Sequence, residues 1–376
     1  MHSRSVFRMC NKVILNQTFT RTYGYKVVKR PDPNTLKIPA PGSAPRLMEI
    51  MKEKIRLNGP LTVAEYMHII ITNPTEGYYM KKEVIGQDGD FITSPEISQL
   101  FGEIVAIWFY VESQKMRAGK PLQIVELGPG KGTLLIDILR VLFASLTMLL
   151  KIWFQGETVS GIKVYWYNDL KKVPNEFSWY IAHEFFDVLP IHKFEVSIYF
   201  LDVMSSGYLF CFLPLPPLDT GDRTELEISA RGLGLARQLA ERVDEHGGIA
   251  LIADYGHEGE KGDTFRAFHK HQVVDPLENP GKADLTADVD FSQLRIAASK
   301  TPSNENYALV LGPVKQKDFL ERSQADIREK IKSAYEMLVN PKKMGERFKF
   351  MAFYPSSVGS ILNKYPPLGF STPPKS

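Results

Sequence analysis

Three glycines at alternate positions, in 124-IVELGPGKGTLL-135, restrict what this chain can fold into more than any other feature. Val125, Glu126 and Leu127 read as the end of a buried strand, and Thr133, Leu134, Leu135 and Ile136 as the start of a helix. Between them, Gly128, Gly130 and Gly132 form a turn tight enough for a ligand to approach the backbone. The N–H groups and partial positive charge at the following helix N-terminus suit a phosphate, a pyrophosphate or the carboxylate of an amino-acid-like cofactor.

Strands and helices alternate after this turn. The stretch 177-FSWYIAHEFFD-187 reads as a buried strand emerging into an acidic loop, and a helix over 230–245 precedes a strand in 249-IALIADYG-256. Such alternation predicts an α/β fold with a mostly parallel sheet, whose ligands bind beyond the carboxyl ends of the strands. Glu126, Glu184 and Asp254 all fall at such ends. Ahead of the sheet, Thr62 to Glu65 form a capping-box pattern before a helix that Pro74 ends. Ser94 and Pro95 read as the start of a further helix, with Ile97, Leu100, Phe101, Ile104, Val105, Trp108 and Val111 on one stripe. A helix is expected around 323–338, followed by the polar stretch 342-KKMGERFKF-350.

The glycine spacing discriminates between ligands. A dinucleotide fingerprint is G-x-G-x-x-G, and here the third glycine comes one residue early. A Walker A loop needs Ser or Thr after its lysine, whereas Lys131 is followed by Gly132. What remains, E-x-G-x-G-x-G, resembles the first motif of class I S-adenosylmethionine methyltransferases. Six further segments accompany it: 73-NPTEGYY-79, 89-GDFITSPEIS-98, 183-HEFFDVLP-190, 253-ADYGHEG-259, 284-DLTADVDF-291 and 339-VNPKKMGERF-348. In this order they resemble the MidA family of mitochondrial methyltransferases. The resemblance runs from about residue 45 to 352. It implies a Rossmann-like methyltransferase sheet with an additional helical part, and S-adenosyl-L-methionine as the cofactor. It also implies symmetric dimethylation of an arginine on a core matrix-arm subunit of respiratory complex I, in support of that complex's assembly, in the mitochondrial matrix.

The residues can be assigned to that chemistry. Gly128, Gly130 and Gly132 would admit the methionyl end of the cofactor, with Glu126 near its ammonium and Asp90 and Asp254 at the pocket edge. A guanidinium stays protonated near neutrality and spreads its charge over three nitrogens, so a methyl acceptor of that kind calls for buried carboxylates to orient it. Glu184 and Asp187 are the catalytic candidates, with Phe185 and Phe186 available to stack on the guanidinium plane. Asp284, Asp288 and Asp290 line a polar loop, and no metal is expected there. His183 and His192 are read as structural. Two departures from the family stand out. The second strand, which carries a ribose-binding acid in Rossmann-type sites, is missing after 141-VLFASLTMLL-150, leaving Glu157 at a comparable separation but in a loop. Residues 196–220 read as substituted or misjoined sequence. A non-catalytic complex I assembly protein on the same scaffold is therefore the alternative expectation.

Composition fixes the surroundings. Residues 1–30 carry Arg4, Arg8, Lys12, Arg21, Lys26, Lys29 and Arg30, with no acid before Asp32. This is the composition of a mitochondrial transit peptide, with cleavage expected near Tyr23. A proline-rich linker over 31–45, the methyltransferase domain with its N-terminal helical part over 46–352 and a disordered tail over 353–376 complete the expected organisation. Cys10 and Cys211 cannot build a disulfide framework or a zinc site. A net charge of +3 gives no argument for nucleic acid, and no apolar run is long enough for a stable membrane anchor.

Overall fold

The computed structural model describes residues 6–10, 47–74, 76–80, 93–116, 121–146, 163–195, 223–270, 272–278, 280–299, 308–323, 338–342 and 344–370. Its strands are β1 (Val6–Cys10), β2 (Gln123–Leu127), β3 (Lys163–Tyr167), β4 (Ser178–His183), β5 (His192–Glu195), β6 (Glu225–Ile228), β7 (Gly248–His257), β8 (Arg266–His269), β9 (Gln272–Val274), β10 (Asp284–Thr286), β11 (Val289–Asp290), β12 (Leu309–Lys315) and β13 (Phe348–Tyr354). The helices that position the site are α1 (Leu47–Asn58), α2 (Val63–Thr72), α3 (Ser94–Ile97), α4 (Gln99–Ser113), α5 (Thr133–Leu146), α6 (Ala230–His246) and α7 (Phe291–Ala298).

The main sheet runs β12-β13-β7-β4-β2-β1-β3, with β11 beside β7. β2, β4 and β7 are parallel neighbours, and β13 enters antiparallel against β7. Parallel register brings the carboxyl ends of β2, β4 and β7 to one edge, so Glu126, Glu184 and Asp254 share the side the sequence pattern assigned them.

Both faces of the sheet are covered, and period-two alternation decides which side chain joins which core. Ile124, Trp179, Ile181, Ile249 and Leu251 face one cluster with Phe101, Trp108 and Leu135 of α4 and α5. Val125, Tyr180, Ala182, Ala250 and Ile252 face the other with Leu233, Leu239 and Leu294 of α6 and α7. Trp108 is fully buried, and its indole N–H donates to the Leu368 carbonyl at 2.8 Å. Truncating such a residue typically costs about 3–5 kcal/mol. A third cluster joins Leu47 and Met51 of α1 and Met67 and Ile70 of α2 to Val188, Ile191 and Leu285. This is the additional helical part, and it packs directly beneath the acidic loop after β4.

Several expectations are corrected. The helix read from Ser94 onward is two helices. Ser98 is extended (φ −153°, ψ 126°) and its side chain caps α4 through the Leu100 N–H, while Thr93 rather than Ser94 is the N-cap residue of α3. The polar stretch 342–350 contains the start of β13, whose Phe348 and Phe350 are fully buried. The tail read as disordered from residue 353 is part of the fold as far as Phe370, since β13 reaches Tyr354, a helix spans Gly359–Lys364 and Phe370 packs on Trp108. The helix expected around 323–338 lies mostly outside the described residues. A helix over Gln316–Ser323 stands just before it.

The slot between β2 and β3 is filled from an unexpected direction. Val6–Cys10, within the stretch read as a leader, pairs in parallel with both neighbours, Phe7 opposite Ile124 and Val164. Its carboxyl end, Cys10, lies opposite Leu127 and Tyr167 and brings no acid to the edge. Glu157 and residues 196–220 fall outside the described residues.

Candidate active site

β2 delivers Glu126 to the sheet edge with 4% of its surface exposed, and its Oε2 has no hydrogen-bond partner among the described residues. Burial pushes its carboxyl up to about 8. Two residues on, Gly128 adopts φ +65°, which only glycine holds without strain. A Cβ added there would stand 2.5 Å from Phe185 Cδ2. The turn closes with the Gly132 N–H on the Pro129 carbonyl at 2.7 Å, and α5 begins at once. A backbone cradle beside an unpartnered buried carboxylate fits a ligand with a carboxylate at one point and an ammonium at another. The methionyl end of S-adenosyl-L-methionine has that chemistry.

The second part of the site is the turn after β4. Glu184 has φ +46°, a left-handed conformation that non-glycine residues seldom adopt and that concentrates at functional sites. The turn is held in that shape from below by Asp254, which is fully buried within the carboxyl half of β7. Asp254 Oδ2 accepts the N–H groups of Phe185, Phe186 and Asp187 at 3.0, 2.8 and 3.4 Å, and Oδ1 accepts that of Tyr255 at 2.9 Å. Asp254, expected at the pocket edge, thus clamps the turn after β4 with both of its oxygens on backbone donors.

The clamp leaves the Glu184 carboxyl buried, accepting a backbone hydrogen bond from Ser94 and with Oε1 unpartnered among the described residues. Burial first, and then the charge of Asp187, holds it well above the usual carboxylate range. His183 Nε2 stands 3.8 Å from Glu184 Oε1. Its ring lies between Phe101 and Phe348, at 4.9 and 5.3 Å between centroids, and burial lowers it to about 3, so it is neutral. His192 sits exposed on β5, away from this group.

The structure therefore brings together Glu126, Gly128, Gly130, Gly132, Glu184 and Asp187. Asp90 lies outside the described residues, but its motif reaches the site. Ser94 bonds Glu184, and Glu96 Oε1 accepts the Thr133 hydroxyl at 2.5 Å, so α3 ties the turn after β4 to the start of α5. Phe185 lies against the glycine turn, whereas Phe186 is packed in the core and joins it edge-on at 5.7 Å. The acids of 284-DLTADVDF-291 divide. Asp288 pairs with Lys261 and Arg266 at 2.7 and 2.5 Å, Asp290 caps α7 and pairs with Arg223, and Asp284 turns inward to the Tyr79 hydroxyl at 3.0 Å. Which of the three turns inward is not legible in their spacing, because spacing does not report which way a loop side chain points.

A Rossmann-like sheet with a glycine cradle and a buried acidic turn at one edge defines a methyltransferase, and the comparisons agree. A family profile described as "Putative S-adenosyl-L-methionine-dependent methyltransferase" matches residues 104–155, 145–208 and 206–307. The chain belongs to this family. The seams between the three matches fall at the two places where the sequence reads as lost or substituted. The protein arginine methyltransferase NDUFAF7 homolog, mitochondrial, of Drosophila melanogaster is 40% identical, over 93% of this chain and 98% of its own length. The mitochondrial protein arginine methyltransferase NDUFAF7 of Bos taurus is 43% identical, over 80% of this chain and 82% of its own. That alignment spans 370 positions, more than this chain's 80% share can fill, so the relative has residues that face gaps here. Among solved structures, a "likely methyl transferase" from Burkholderia thailandensis bound to S-adenosyl-homocysteine superposes with a TM-score of 0.60 at 19% identity. It matches over 82% of this chain and 92% of its own, and shows the same fold.

Proposed function

We propose that this chain transfers a methyl group from S-adenosyl-L-methionine to an arginine of a mitochondrial protein. The target is a core matrix-arm subunit of respiratory complex I, the product is the symmetric dimethylarginine, and the setting is the matrix, where the modification supports assembly of the complex. The mitochondrial arginine methyltransferases named above support the reading, but the observation that carries it is Glu184. It is a buried carboxyl held in a left-handed turn beside Asp187, next to a glycine cradle, and its free oxygen suits a cationic acceptor.

The cofactor, when bound, supplies a methyl group on a sulfonium. The protein supplies position and charge. Gly128, Gly130 and Gly132 let the ligand reach the backbone, and Glu126 offers its carboxylate to the ammonium. Glu184 and Asp187 orient the guanidinium and draw its positive charge toward themselves, leaving electron density on the nitrogen that faces the sulfonium. Asp254 keeps the turn in shape.

Purified protein incubated with labelled cofactor and complex I subunits, read by mass spectrometry, tests the proposal. Methylarginine that disappears in Glu184→Gln while cofactor binding persists is the expected result. Equal loss of both would mean that Glu184 serves the cofactor or the fold.

One observation favours a second reading, a non-catalytic assembly factor on this scaffold. The strand beside β2 comes from the N-terminus and ends in Cys10, so that strand itself brings no carboxylate to the adenosine half of the cofactor. A chain that supports complex I assembly without binding S-adenosyl-L-methionine in calorimetry would establish it.

A further inference from the structure

Asp284 belongs to no part of the scheme above, although it is 3% exposed and begins β10, a strand that leads into a loop bonded to the turn after β4. Its position is fixed twice. The Tyr79 hydroxyl donates to its Oδ2 at 3.0 Å, and Tyr79 is itself braced edge-on by the buried ring of Tyr78 at 5.2 Å. Downstream of β10, the Ala287 N–H donates to the Asp187 carbonyl at 2.9 Å and pins the two loops together. Burial raises both the Glu184 carboxyl and the Tyr79 phenol, and the charges of Asp187 and Asp284 add to it in each case.

A second, independent feature points to a ligand in this space. His183 Nε2 is unpartnered on a side chain only 7% exposed, and it faces Glu184 Oε1, also unpartnered, across 3.8 Å. That gap is too long for a direct hydrogen bond between them. Two buried polar atoms left facing each other are what a donor-rich group entering the site would satisfy.

We propose that Asp284 is a third guanidinium-binding carboxylate, with Tyr79 as its positioning residue, so that two loops build an acceptor subsite that selects arginine over lysine. The inference rests on the arginine reading above. A guanidinium is a planar fork with five donors directed outward along its edges, and carboxylates approaching from two loops can engage two edges at once. An ammonium is a compact point charge on a flexible stem and cannot span both walls.

The test uses the full chain and two glycine-flanked peptides, one with a single arginine and one with a single lysine. Peptide binding is measured by calorimetry, with S-adenosylhomocysteine affinity and thermal melting followed in parallel. The arginine peptide should bind more tightly to the unaltered chain. Asp284→Asn should weaken it about ten- to a hundredfold, the loss expected for a hydrogen bond to a charged group, and should bring it level with the lysine peptide. Tyr79→Phe should give a smaller loss in the same direction, with Asp284 retained but no longer held. Neither variant should change S-adenosylhomocysteine affinity beyond about twofold, well below the change expected for a lost charged contact. Arginine-peptide binding unaltered in both variants would overturn the proposal. If Asp284→Asn fails to fold, Tyr79→Phe alone decides, and unchanged peptide discrimination in it counts against the assignment. An unaltered chain that does not prefer arginine to lysine would instead overturn the arginine reading itself.

Discussion

With Glu126 assigned to the cofactor ammonium, as proposed, cofactor binding releases a proton, and the size of the effect follows from the burial of that carboxyl. Burial raises this carboxyl from 4.5 to about 8. At pH 7 the free protein therefore holds Glu126 mostly protonated, and an incoming ammonium must be met by its ionised form. Ionising a group one unit below its pKa costs about 1.4 kcal/mol, so affinity for S-adenosyl-L-methionine should rise about tenfold from pH 6 to pH 7. That window lies below the titration of a typical α-amino group, so the ligand's own amine contributes little. Close to one proton should leave per ligand bound at pH 7, detectable by calorimetry in two buffers of different ionisation enthalpy. Glu126→Gln should bind about ten- to a hundredfold more weakly at pH 7, and it should lose this part of the pH slope and proton release. Stability of the free protein runs the other way. The raised carboxyl is protonated when folded and ionised when unfolded, so stability present below pH 4.5 is lost as pH rises toward 8. An affinity that is flat from pH 6 to 7, or a glutamine variant that keeps the full slope, would refute the assignment of Glu126 to the ammonium.

Other expectations follow from single contacts. Asp254→Ala strips an acceptor from four backbone N–H groups. At about 1–3 kcal/mol for each buried donor left unsatisfied, chemical denaturation should show a loss above 3 kcal/mol, and a loss below 1 kcal/mol would mean that the clamp is not needed. Gly128→Ala puts a methyl 2.5 Å from Phe185 at φ +65°. It should cost about 1–3 kcal/mol and abolish cofactor binding, so normal binding in calorimetry would show the turn to be more pliable than described. Removing residues 1–22, the cleavage expected of a leader, deletes β1 and should lower the melting temperature measured by calorimetry. An unchanged melting temperature would show that the sheet does not depend on that strand. Inserting a family-like strand and helix between Leu146 and Ile152 should recover both stability and cofactor affinity.

Much of the sheet edge was legible because its signals are local. Glu126 and the glycine turn announce themselves by spacing, and the strand pattern of 177–187 and 249–256 puts Glu184 and Asp254 at matching ends. Their separate duties were not legible. Which acid grips backbone and which stays free depends on where the Phe185 and Phe186 N–H groups point, and that is set by the left-handed turn at Glu184. The same limit hid Asp284, Tyr79, Ser94 and Glu96, whose partners lie far away in sequence. The residues of β13 were misread because 342-KKMGERFKF-350 mixes charges with the aromatics that fill the core. Ser98 broke a helix that the apolar stripe alone would have continued.

The carboxyl groups of Glu126 and Glu184, each with one oxygen unpartnered among the described residues, also bear on turnover. A site that takes a sulfonium and a guanidinium receives two positive charges. After transfer the sulfur is neutral and the methylated guanidinium keeps its charge, because it has given up one proton. Glu184, held well above the usual range by burial, is suited to take that proton back. The acidic pocket that attracted the fresh cofactor then has a weaker hold on the spent one, which has lost its cationic centre. Under the proposed chemistry, charge balance therefore favours product release.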